Sequence, residues 1–232
     1  MAFLEPLRSR LSPVVFGEVP LPPTTDAPAS LRGNLRQARA LLADAGWKVA
    51  DDGVLRNAAG RAFEFEVLSY SKAFERVAEP WTRNLAKLGI EVSIRTTDPA
   101  LYRKRLEDFD FDVVVHVFSA SQTPGNELVE AYTSGAAAEK GSQNVPGIRD
   151  PAIDALVSKI LESRSRVELV AGAKALDRVL RHGHYMVPHF HSPSNRVSYS
   201  RRLSHPETLP KYYWPPTWML KTWWINDDTA KR

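Results

Sequence analysis

The chain of 232 residues contains no cysteine. That excludes disulfide staples, thiol nucleophiles and thiolate metal ligands, and it fits any compartment, including a periplasm where stray thiols risk oxidation. Long apolar runs are missing too: none approaches the roughly 20 residues needed to span a bilayer. The opening MAFLEPLRSRLSPVVFGEVPLPPTTDAPA has no uninterrupted apolar stretch and is broken by six prolines, so it does not read as a secretory leader. Glycine is scarce, at 12 residues against 17 prolines. There is no phosphate-cradling glycine loop, no GxSxG elbow and no HExxH pair. Charge of one sign forms no block. The 31 Lys and Arg residues are interleaved with 27 Asp and Glu, leaving a net charge of +4. This is the pattern of a mixed solvated surface rather than a nucleic-acid footprint.

What is present is an ordinary globular balance, 43% hydrophobic and 25% charged. The length suffices for one large domain or two small ones. Residues 1–30 read as an extended connector, because Pro6, Pro13, Pro20, Pro22, Pro23 and Pro28 forbid helix interiors. Its apolar residues Phe3, Leu4, Val14, Val15 and Phe16 imply that it packs on something. Leu31, Leu35, Ala38, Leu42 and Ala45 form a helical stripe, with Ser30 as N-cap and Gly46 as terminator. In AFEFEVLSY, Phe63, Phe65, Val67 and Ser69 share one strand face, and Glu64, Glu66, Leu68 and Tyr70 the other. A helix follows over 73–88, with Pro80 either kinking it or lying in its first turns, and Gly89 ending it. Next come the strand IEVSIRTTD, a helix capped by Asp98 with Pro99 at its first position, and FDVVVHVF, a strand apolar enough to be buried on both faces. This succession is a βαβ pattern, so the fold class is α/β with a parallel sheet.

The remainder predicts a short helix over Glu127 to Tyr132, one from Pro151 with Ile153, Leu156, Val157 and Ile160 inside, and a long one ended by Gly183. YMVPHFH reads as a strand, and the tail from Arg196 is rich in aromatics. Ligands of open α/β sheets bind beyond the carboxyl ends of the strands. That rule points to Ser119, Ser121, Gln122, Asn126 and Glu127, after the strand ending at Phe118, and to Tyr70. Asn144 alone is a turn residue. His182, His184, His189 and His191 invite a metal reading, but HxH without further converging ligands is weak, so no metal is expected. Asp110 and Asp112 read as strand-edge charges.

The ordered segments NLRQARALLADAGW (34–47), AFERVAEPWTRNLAKLGIEVSIRTTDPALYRKRLEDFDFDVVV (73–115), TPGNE (123–127), GSQNVPGIRDPAIDALVSKI (141–160), ALDRVLRHGHYMVPHFH (175–191) and PETLPKYYW (206–214) carry a family resemblance. The chain resembles the C-terminal half of bacterial extracellular solute-binding proteins of the peptide/nickel class, closest to the Yej-type oligopeptide-binding branch. The resemblance implies the second lobe of a two-lobed periplasmic-binding-protein fold: a βαβ mixed sheet with flanking helices. Residues 1–30 would cross from the first lobe, 31–186 form the second, and 187–232 supply a hinge strand and a tail returning to the first. It further implies a periplasmic protein, neither enzyme nor membrane-spanning, that needs no cofactor and binds no nucleic acid. Such a protein captures oligopeptides by clamshell closure and delivers them to the permease of an ABC importer, and a signal peptide and first lobe would lie upstream of Met1. The implied solute contacts are Phe118, Ser119, Ser121, Gln122, Asn126, Asn144, Phe190 and His191. One departure stands out: Ala120 lies near the place where oligopeptide binders hold the peptide ammonium with an aspartate. A non-peptide solute such as a metal chelate, haem or an opine-like compound is the alternative, and a hydrolase using Glu127, His189 and His191 a remoter one.

Overall fold

A computed structural model describes residues 1–118, 123–189, 192, 194–209 and 214–226. The chain divides into two units, Met1–Val187 and Pro188–Arg232.

In the first unit, short 3-10 turns at Glu5–Leu7 and Pro13–Phe16 precede helix α1, Leu31–Asp44. Ser30 caps α1 by accepting the Gly33 N–H. The two-residue strands β1, Lys48–Val49, and β2, Leu55–Arg56, pair antiparallel. Strand β3, Glu64–Ser69, helix α2, Lys72–Ala86, strand β4, Glu91–Thr96, helix α3, Pro99–Glu107, and strand β5, Val113–Val114, form a doubly crossed parallel sheet of order β4-β3-β5. Asp98 caps α3 through two backbone N–H groups, with Pro99 at its first position.

The pleat divides β3 as its alternation predicts. Phe63, Phe65 and Val92 pack in one apolar cluster with Leu85 of α2 and with Leu35 and Leu42 of α1. Glu66, on the opposite face, pairs with Arg105 of α3 at 2.8 Å, and Arg105 also holds Asp110 at 3.0 Å. Pro80 lies in the middle of α2, past its first turns, where it withdraws one N–H from the helix ladder. Gly89 ends the connection with φ +80°, and its carbonyl accepts the Leu55 N–H at 2.7 Å.

Strand β5 departs from expectation. Instead of a long strand buried on both faces, it pairs over two half-buried residues, and only with β3. Side chains take over the hydrogen bonds at both of its ends. The Asp112 carboxylate accepts the Glu66 N–H at 2.9 Å, and the Tyr102 hydroxyl donates to the Val115 carbonyl at 2.8 Å. Asp112 and Asp110 thus serve the sheet and its ion pairs.

Helices α4, Glu127–Tyr132, α5, Pro151–Leu161, and α6, Arg166–Gly183, complete the unit. Ile153, Leu156, Val157 and Ile160 of α5 are buried against Ala175, Leu176 and Val179 of α6. The connector joins this core: Phe3, Leu4, Leu11 and Val15 are buried in it. Phe3 enters beside Gly172, where an added Cβ would lie 2.7 Å from Ile160 and 3.0 Å from the Phe3 ring. Arg178 donates to the carbonyls of Val15 and Gly17.

The end of α6 also differs. His184, not Gly183, adopts the left-handed conformation, with φ 50°. Gly183 is needed for space, since a Cβ there would lie 2.1 Å from the Tyr185 ring. Residues 185–189 form no strand. Pro188 lacks the N–H that a ladder requires, and no described strand pairs with this segment. In the second unit, β6, Leu203–Ser204, pairs antiparallel with β7, Trp224–Ile225, and the intervening α7, Pro215–Thr222, is a helix that the aromatic composition concealed. Tyr199, His205 and Trp223 pack together there.

Candidate functional site

The carboxyl edge of the parallel sheet is where an α/β unit exposes chain ends free of ladder partners. Three elements meet there. Tyr70 follows β3 directly and is 56% exposed. Tyr102 rises from the first turn of α3, and the two rings lie 4.8 Å apart at 60°. Strand parity sets Tyr70 with Glu66 and Leu68 on the α3 face, which is why the rings meet. The Tyr102 hydroxyl, bonded to the Val115 carbonyl, ties this pair to the segment leaving β5. There His116 meets Phe118 edge to face, at 4.8 Å and 76°. Phe118 is 36% exposed and Val117 83% exposed.

Burial pushes the His116 imidazole below its usual 6.5, with no neighbouring charge contributing, so the ring is neutral at neutral pH. Burial, and then Tyr70, push the Tyr102 phenol upward. Asp98, at the same edge, is occupied in capping α3. Glu75 lies on the opposite face, accepting a hydrogen bond from the Thr96 hydroxyl. Among the described residues the rings of Tyr70, Tyr102, His116 and Phe118 dominate this edge, and Arg95, on the same face of β4, is turned to Glu66 at 3.9 Å.

Of the residues expected to touch solute, Phe118 belongs to this edge. Asn126 is exposed at the start of α4, where its side chain makes no cap. Ser119, Ser121, Gln122, Phe190 and His191 lie outside the described residues. Asn144 is a correction. It is 0% exposed, its amide donates to the Thr133 and Ile148 carbonyls, and its oxygen accepts the Ile148 N–H, each at 2.9 Å. Every strong hydrogen-bonding position of the side chain that could face a solute is turned inward, so Asn144 welds a loop instead. Tyr102 and His116 were missed by sequence reasoning. Only the crossover geometry, which brings α3 back over β3, brings them to one edge.

Among the described residues, no three His, Asp or Glu side chains converge as a metal requires. His182 has a buried Nε2 without a partner, and burial, then Arg178 and His184, lower its basicity. The first unit carries surface hollows. One, of about 370 Å³, runs between Pro124 and α6, and another is walled by Glu66, Arg95, Lys104 and Arg105. No helix among the described residues is long and apolar enough to cross a membrane.

Residues 4–140 match the model of bacterial extracellular solute-binding proteins, family 5 Middle. The chain is 38% identical over 221 residues to the uncharacterized protein y4wM of Sinorhizobium fredii, covering 94% of this chain and 33% of that protein. It is 38% identical over 212 residues to the probable peptide-binding protein YejA of Agrobacterium fabrum, covering 91% of this chain and 34% of that one. Among solved structures, the oligopeptide-binding protein AppA of Bacillus subtilis, in complex with a nonapeptide, superposes with a TM-score of 0.64 at 20% identity, over 97% of this chain and 45% of that one. At that identity the likeness shows the fold alone. The chain spans about a third of the length of the curated relatives it matches. The parallel sheet with its flanking helices is thus a lobe of the periplasmic-binding-protein fold, its relatives are binding proteins and not enzymes, and the chain belongs to the bacterial extracellular solute-binding proteins of family 5.

Proposed function

We propose that this chain is the second lobe, with its crossing segments, of a two-lobed protein that captures oligopeptides in the periplasm. It closes over them like a clamshell and hands them to the membrane permease of an ABC importer. The observation that carries this reading is the 38% identity, across 91% of the chain, to a protein described as a probable peptide-binding protein. In this reading residues 1–30 cross from the first lobe, 31–186 form the second, and 187–232 return. Phe118, Ser119, Ser121, Gln122 and Asn126 line the cleft from the loop after β5, with Phe190 and His191 from the crossing segment.

The geometry supports the reading through exposed ring surface: Tyr70 and Phe118 stand open at the sheet's carboxyl edge, as one wall of a two-walled cleft would. Closure of a second wall would bury the exposed rings of that edge and the ligand together. An extended peptide then gains affinity through its backbone and selectivity through pockets for its side chains.

Calorimetry with a mixed peptide pool on the full-length protein tests this. Saturable heat is expected. Silence across the pool overturns peptide capture, and mass spectrometry of solute retained through purification would then reveal a chelate or other non-peptide cargo.

A further inference from the structure

We infer that Tyr70, Tyr102 and His116 form a neutral aromatic subsite that takes an apolar or planar side chain of the captured peptide, and not its charged ends. This rests on the peptide-capture reading above. The three residues come from three different elements: the end of β3, the first turn of α3 and the segment after β5. Register and contacts bring them to one face. Leu68 pairs with Val114, so Tyr70 and His116, each two residues further, share the α3 face; Tyr70 and Tyr102 lie 4.8 Å apart at a 60° tilt, the Tyr102 hydroxyl bonds to the Val115 carbonyl, and His116 meets Phe118 at 4.8 Å.

The electrostatics select the ligand group. A peptide ammonium seeks a carboxylate, and those at this end of the sheet are engaged: Asp98 in the cap of α3, Glu75 with Thr96 across the sheet. A peptide carboxylate seeks a cation. Lys72 opens α2, the helix packed on the other face, while His116 is kept uncharged by its burial. What the edge does offer is ring surface: the half-open face of Tyr70 above Tyr102, and Phe118 beside His116. Such surface favours another ring, a proline or a branched aliphatic group. Tyr70 is over half exposed, so the face is available without any rearrangement of the core.

The test uses the full-length protein, equilibrated with a randomised pentapeptide library, with the retained peptides sequenced by mass spectrometry. At one peptide position, aromatic, proline and leucine residues should exceed charged ones by about twofold to tenfold, the range that an aromatic contact contributes. Tyr70→Ala should level that enrichment at that position alone, and Tyr70→Phe should keep it. Because Tyr70 is largely exposed, the alanine variant should fold, which an unchanged thermal melt would verify. Peptides retained with no such preference, or a preference that survives Tyr70→Ala, overturn the subsite and leave peptide capture standing. Retention of no peptide overturns both.

Discussion

Replacing Asn144 by alanine strands two buried backbone groups at once, the Ile148 carbonyl and N–H, and takes one of two donors from the Thr133 carbonyl. Each such loss costs about 1–3 kcal/mol, so Asn144→Ala should lower the unfolding free energy by about 3 kcal/mol or more. A urea titration reads this directly, and an unchanged midpoint would mean that the loop does not depend on the weld. Solute affinity of the folded variant should stay near that of the parent. His184 illustrates the opposite sign. It holds φ 50° at the end of α6, a conformation that costs a side-chain-bearing residue about 1 kcal/mol, so His184→Gly should raise the midpoint slightly. His116 and His182 give the stability a pH dependence. Both are less basic when folded than the usual 6.5. As pH falls through 6.5 the unfolded chain takes up protons first, so stability must fall with it, and it must rise again toward neutrality. The unfolding free energy should therefore climb between about pH 5 and pH 7, and His116→Gln should flatten part of that climb. An equal slope in the variant would remove His116 from the account.

At the scale of elements, the connector and α6 behave as one packed layer. Phe3 and Val15 bury against α5 and α6, Gly172 makes room for Phe3, and Arg178 grips the Val15 and Gly17 carbonyls. Gly172→Val should therefore destabilise by about 1–3 kcal/mol through overpacking, visible as a shifted melting temperature, whereas substitution of exposed Val167, in the first turn of the same helix, should change little. These elements were largely legible in the sequence. The helix starts at Ser30 and Asp98 are written as capping side chains, and the structure adds Asp150 and Ser165 as caps of α5 and α6. The stripe Ile153, Leu156, Val157 and Ile160 declares its buried face. What stayed illegible depends on partners distant in the chain. The apolar run FDVVVHVF predicts a long inner strand, yet a strand extends only as far as its neighbour pairs with it, and the side chains of Asp112 and Tyr102 fix both limits. Asn144 looks like any turn asparagine until Thr133 is brought beside it. The proline of YMVPHFH was visible, but its missing N–H was outweighed by the alternating pattern around it.

For the whole molecule, the length relation governs what the isolated chain can do. It spans about a third of the length of its curated relatives, and Tyr70 and Phe118 leave ring surface open at the sheet edge. Under the proposed function, the 232-residue chain alone should give no measurable heat with peptide pools that saturate the full-length protein. Strong binding by the isolated chain would contradict the two-walled cleft. The family was legible because the order of segments along the chain is shared with relatives. The subsite was not, because its members are separated by 46 positions and meet only after two crossovers. One hydrogen bond, from the Tyr102 hydroxyl to the Val115 carbonyl, has a consequence of its own. The carbonyl that would carry β5 further along β3 is spent on the phenol. A lineage that extended the sheet would have to release Tyr102 and give up its stack on Tyr70, while one that kept the stack is committed to a short strand. Sheet length and ligand preference are thus bound into a single inherited choice, and drift in one should be traceable as drift in the other.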